Sequence, residues 1–163
     1  MNKRILLTYL ASCLVVCTLF ITSCTEDDNQ VTDAKLVANY SAEAALEWNK
    51  MFLEIERYAA GYRPGPAPRA LGHLGLSSYE ACLTVMPGYN SLENRFNGLN
   101  IPNIEAGKQY HWPSVVHGVY SIMMPNFFTQ EPPASVRNDW DALVRRLDDK
   151  YRAEAGEEVF NRS

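Results

Sequence analysis

Arg69-Ala70-Leu71-Gly72-His73-Leu74-Gly75-Leu76-Ser77-Ser78-Tyr79-Glu80-Ala81-Cys82-Leu83-Thr84 is the stretch on which the fold turns. Leu71, Leu74, Leu76 and Leu83 stand among small residues, including Gly72 and Gly75. A glycine inside a helix is less favourable than alanine by about 1 kcal/mol, so a helix with two of them needs close packing in return. The reading is a central helix over 69–84 with neighbours near on several sides. Three polar side chains interrupt it: Arg69, His73 and Glu80. At roughly 100° per residue they project at about 0°, 40° and 20°, a single narrow stripe. Such a stripe is either an internal set of ion pairs and hydrogen bonds, or a face turned to a pocket or an absent partner.

Outward from this stretch the pattern stays helical. On the N-terminal side, Tyr62-Arg63-Pro64-Gly65-Pro66-Ala67-Pro68 cannot be helix or strand interior, and reads as a rigid connector with Pro68 suited to the next first turn. Before it, Leu36, Tyr40, Ala44, Trp48, Met51, Phe52, Ile55 and Ala59 step by threes and fours, while Glu43, Glu47, Lys50, Glu54 and Arg57 fill another face. This predicts an amphipathic helix from about 34, capped by Asp33 and stopped by Gly61. On the C-terminal side, 86–90 is a turn and 91–110, with scattered Asn, Gly and Pro, is mostly loop. A second buried helix is predicted over 113–124, apolar on every side except Ser114, His117 and Ser121, with Pro125 as its stop. A last helix is predicted over 133–155, with Val136, Trp140, Leu143, Leu147 and Tyr151 as its apolar stripe. Asp141–Arg145, Arg145–Asp149 and Asp148–Arg152 stand at the i,i+4 spacing of surface ion pairs. Gly156 ends it, and 157–163 opens a further element. The expected fold class is all-α, a partial bundle of about four helices with loops, over 34–163.

The first residues carry a different message. Lys3 and Arg4 precede a nearly unbroken apolar run from Ile5 to Ile21, and Ile21-Thr22-Ser23-Cys24 follows. A basic start, an apolar core and small residues before the cut describe a secretory signal. A cysteine directly after two small residues is the lipobox pattern, whose thiol takes a diacylglyceryl group. Residues 1–23 are therefore read as a lipoprotein signal peptide, and Cys24 as the lipid attachment site. Residues 24–33 are read as a flexible acidic tether. Its Thr25-Glu26-Asp27-Asp28-Asn29 also resembles the acidic addresses that send some outer-membrane lipoproteins to the cell surface. The expectation is an exported protein, lipid-anchored to the cell envelope at the outer membrane. Cys13 and Cys17 lie in the leader, so Cys82 has no partner for an intrachain disulfide.

The 163-residue chain has a formal charge of −4. The leader carries Lys3 and Arg4 and no acid, so the mature charge falls by two, to −6. That balance offers no footprint for nucleic acid. No phosphate-cradling loop, zinc cluster or nucleophile elbow occurs. His111 and His117 are six apart, which is not the i,i+4 spacing of a helical metal pair, so no metal ligands and no catalytic residues are expected.

The stretch 61–81, Gly-Tyr-Arg-Pro-Gly-Pro-Ala-Pro-Arg-Ala-Leu-Gly-His-Leu-Gly-Leu-Ser-Ser-Tyr-Glu-Ala, resembles the N-terminal helical region of bacterial vanadium-dependent haloperoxidases, members of the type 2 phosphatidic acid phosphatase superfamily. Leu46-Glu47-Trp48-Asn49, Met86-Pro87-Gly88-Tyr89 and Tyr110-His111-Trp112-Pro113 look similar too, in the same order, so the likeness covers roughly 45–163. The family's anion site uses Lys-x6-Arg-Pro, Pro-Ser-Gly-His and Ser-Arg-x5-His. Here Glu56 stands where the lysine before Arg63-Pro64 belongs, and Pro113-Ser114-Val115-Val116-His117 has one residue too many and lacks the glycine. The resemblance thus implies a helical bundle corresponding to the family's N-terminal half, without its catalytic half and inactive alone. Vanadate is implied only for a full-length relative. The implied partners are the membrane, through the lipid, and a C-terminal catalytic half or a second copy. The reading from another class is a non-catalytic all-α envelope lipoprotein that binds a protein partner or small ligand.

The lipobox makes a direct prediction. Cys24→Ala abolishes lipidation and shifts the protein from the membrane to the soluble fraction in a fractionation experiment. A variant that stays with the membrane and keeps its leader would make 1–23 an uncleaved anchor instead.

Overall fold

The structure is a computed structural model that describes residues 36–105, 107–128 and 130–163. The leader, Cys24 and the acidic tether lie outside the described residues. Five helices follow in order: α1 (Glu43–Glu56), α2 (Pro66–Cys82), α3 (Trp112–Met123), α4 (Ala134–Ala155) and the short α5 (Glu157–Arg162). Single 3-10 turns sit at Val37–Asn39, Leu83–Val85, Glu93–Arg95 and Met124–Phe127. The described residues contain no strand, so the fold is all-α. None of their helices is long and apolar enough to cross a membrane.

The helix expected from about residue 34 begins at Glu43. The apolar period continues upstream, but Tyr40 is extended, at φ −104° and ψ 155°, and the chain turns there. Val37 and Tyr40 pack instead against a small separate core of Cys82, Val85 and Trp112. The Ser41 hydroxyl accepts the Glu43 N–H at 3.1 Å, supplying one partner that the first helical turn lacks. The other end comes at Glu56, and the chain leaves through turns to Gly61, whose φ of +75° suits glycine. Glu56 is buried at that end and pairs with Arg63, which ties the proline connector back to α1.

α2 starts earlier than 69 because Pro66 occupies its first turn, where a missing N–H costs nothing. Its expected central position is overturned. The helix in the middle is α3, which packs against α1, α2 and α4, whereas α2 packs mainly against α3. Among the described residues the close packing expected around Gly72 and Gly75 is absent as well: a Cβ added at either would meet nothing within 4 Å. α3 is not covered on every side either, since Ile122 is 72% exposed. Its α-helical part ends at Met123, close to the expected stop, and Pro125 lies in the 3-10 turn that follows over Met124–Phe127.

The main core is shared by α1, α2, α3 and α4. Trp48, Phe52, Leu74, Met124, Leu147 and Tyr151 are its most completely buried large side chains. The ion pairs expected along the wet face of α4 do not close; none of the three comes within 4 Å. Arg152 pairs with Glu157 on α5, and two other basic side chains of α4 reach α1. Arg146 Nη2 lies 2.8 Å from Glu47 Oε2, and Lys150 pairs with Glu43. Gly156, at φ +79°, separates α4 from α5. α5 returns to the foot of α3, where the Ser163 hydroxyl accepts the His111 N–H at 2.9 Å.

A core shared by four helices separates two leucines that look alike in sequence. Leu147→Ala, at a fully buried site, is expected to destabilise by about 2–5 kcal/mol. Leu46→Ala, at a position 58% exposed, stays within about 0.5 kcal/mol. Urea denaturation of both variants checks this, and equal effects would refute the core described here.

Candidate functional site

The predicted stripe separates into two places. Arg69 and His73 are exposed at the N-terminal half of α2, bordering a shallow groove of about 530 Å3 with Gly72, Gly75, Tyr79 and Phe96. The groove exists because two of its lining positions carry no side chain. The His73 ring lies nearly parallel to Phe127, with centroids 6.2 Å apart. No ion pair or hydrogen bond reaches the Arg69 guanidinium among the described residues. Glu80, at the far end of α2, is 5% exposed and bonded elsewhere. Its Oε2 accepts the Ser91 hydroxyl at 2.9 Å, and its Oε1 accepts the Leu92 N–H at 2.6 Å. Glu80 is a loop anchor, not the partner of Arg69 or His73.

A second polar set, not recognised in the sequence, lies inside the bundle. The indole N–H of Trp48 on α1 donates to Nδ1 of His117 on α3 at 3.0 Å. Nε2 of His117 lies 2.9 Å from Asp148 Oδ1 on α4. Because Nδ1 accepts, the proton belongs on Nε2 and is donated to Asp148. The sequence signal was present, since His117 is one of three polar residues on an otherwise apolar helix. Its partners are contributed by two other helices and have no local signature.

The polar set is chemically quiet. Burial holds His117 below its ordinary pKa, against the opposing hydrogen bond and charge of Asp148. Burial likewise pushes Tyr151, beside it, up to about 12, with Glu43 and Glu154 adding in the same direction. His111 Nδ1 is 2.8 Å from Ser114 Oγ, and its Nε2 is 3.5 Å from Glu154 Oε2. By residue type this resembles a nucleophilic triad. Ser114 is 3% and His111 8% exposed, however, which leaves a substrate carbonyl no approach. His111 precedes α3 and Ser114 lies in its first turn, so the pair fastens that helix end. Cys82 is buried and its thiol is pushed up to about 11, which keeps it protonated and unreactive. No cluster of three or more His, Cys, Asp or Glu with metal-holding geometry occurs among the described residues. No family model, curated protein or solved structure matches this chain.

The His117 relay predicts a pH dependence. A histidine whose folded pKa is depressed stabilises fully above its unfolded value, about 6.5, and loses that contribution as pH falls below it. Urea midpoints should therefore hold steady from pH 8 down to about 6.5 and fall below it. His111, held low by burial too, adds to the slope. His117→Gln is expected to be less stable at pH 8 and to show a shallower acid slope; an unchanged slope would remove His117 as its source.

Proposed function

We propose that 36–163 is the helical scaffold region of an envelope lipoprotein of the haloperoxidase and type 2 phosphatidic acid phosphatase kind, with no catalytic site of its own. It serves by presenting the open side of α2 to a second helical body that carries the anion site. The observation that carries this reading is the bare face of α2. Among the described residues Gly72 and Gly75 weaken the helix yet face open space, and Arg69 stands beside them without a charged partner. The order of the family-like segments in the sequence supports the same reading. So does the all-α fold.

The reading excludes turnover by this chain alone on electrostatic grounds. Vanadate and phosphate are multiply charged, and holding either requires several converging cationic donors. The α2 groove offers Arg69 and His73 only. A second reading, a non-catalytic lipoprotein that binds a small ligand, is favoured by a further cavity along the C-terminal half of α2.

Purified 25–163 is expected to show no peroxide-dependent bromination with added vanadate and no phosphatase activity above buffer. Vanadate-dependent turnover that Arg69→Ala abolishes would place an anion site in this chain and overturn the scaffold reading.

A further inference from the structure

A cavity of about 480 Å3 lies between the C-terminal half of α2, the 99–104 loop and the start of α3. Its wall is largely hydrocarbon: Leu76 and Ala81 from α2, Ile101 and Ile104 from the loop, Trp112 and Val115 from α3. Tyr110 and Trp112 stack on one another at this wall, with centroids 5.8 Å apart. The polar groups at the edge include the neutral amides of Asn100 and Asn103 and the hydroxyls of Ser77, Thr84 and Ser163. Glu80 also borders the space, but both of its oxygens are engaged by Ser91 and Leu92.

The loop that roofs the cavity is fixed at several points. The Ile101 N–H donates to Glu93 Oε1 at 3.1 Å, and the Glu105 N–H donates to the Tyr110 hydroxyl at 3.1 Å. Glu93 in turn follows directly on the Ser91–Leu92 segment that Glu80 holds. A chain of side-chain anchors therefore runs from α2 to the roof, and the space is preformed rather than a gap under a free loop. Its size falls within the range of small-molecule sites, which are typically apolar with a few placed polar groups.

We propose that this cavity binds a neutral, largely hydrocarbon small molecule bearing an aromatic ring and one hydrogen-bonding group. The ring lies against the Trp112 side of the wall, and the polar group reaches the amides or hydroxyls at the edge. The charge pattern selects against ions. Among the described residues no cation lines the space to receive an anion, and each Glu80 oxygen already accepts a hydrogen bond. The inference rests on the second, ligand-binding reading above and does not depend on docking at the Gly72–Gly75 groove.

Photolabelling of the full chain in its own membranes tests it. The probe is a neutral phenyl-diazirine carrying an alkyne tag, the competitor is excess 2-naphthol, and labelled peptides are mapped by mass spectrometry. Label is expected to concentrate on 99–104 and around Val115, to fall with competitor, and to be lost in Ala81→Trp, which fills the space. Thr84→Trp fills the same space from its exposed edge and is expected to act alike. Competable label elsewhere, as at exposed Ile122 or Leu53, would overturn this site but leave a ligand-binding protein. Label that no competitor displaces would overturn both.

Discussion

A buried imidazole has two nitrogens to satisfy, and in this protein they are satisfied from two different helices. Trp48 on α1 donates to one side of the His117 ring and Asp148 on α4 accepts from the other. Apolar burial is non-directional, so it holds helices together without fixing how each is rotated or shifted along its axis. The relay supplies that missing direction, because any slip of α1 or α4 past α3 leaves a buried polar group unpaired. Such a group carries its full desolvation penalty of about 1–3 kcal/mol. The stacking of Trp48 with His117 and Tyr120 follows from the same geometry.

Once α3 is locked between α1 and α4, α2 has only its remaining flank to pack on. This explains why α2 ends up peripheral although its composition reads as interior. Ala67, Ala70 and Leu74 face the bundle and are buried, and the glycines fall on the opposite side. Within the described residues those glycines weaken the helix with no packing gained in return. A face without Cβ atoms lets another backbone come close, and the docking proposal gives the glycines that role.

The helices were legible because their apolar period is local, and each of the five overlaps a stretch expected to be helical or to open an element, although α2 begins inside the proline connector. Their ends were less so. Residues 36–40 keep the period of α1, but the chain turns at Tyr40 to fill a second small core, a tertiary preference that outweighs local pattern. The i,i+4 pairs of α4 were misread for a related reason. Of the residues in those pairs, Asp148 is drawn to the buried His117 and Arg152 to Glu157 on α5, so partners on other helices take both ends of the third pair. The relay joins residues as far as 69 apart in sequence, and no spacing rule finds such a pair.

The fate of the α2 stripe shows what a helical projection leaves out. Arg69, His73 and Glu80 share one angular sector, but at 1.5 Å per residue Glu80 stands about 16 Å along the axis from Arg69. Arg69 and His73 are separated by about one turn and border one groove, while Glu80 belongs to another environment. There its chemistry fits a different task. Ser91 and Leu92 each approach with a donor, and a carboxylate presents acceptors on both oxygens, so both donors are met. A glutamine would turn an amide N–H toward one of them. The acid that looked like an ion-pair partner is thus matched to two neutral donors, and what it controls is the position of the loop over the cavity rather than the charge balance of the helix.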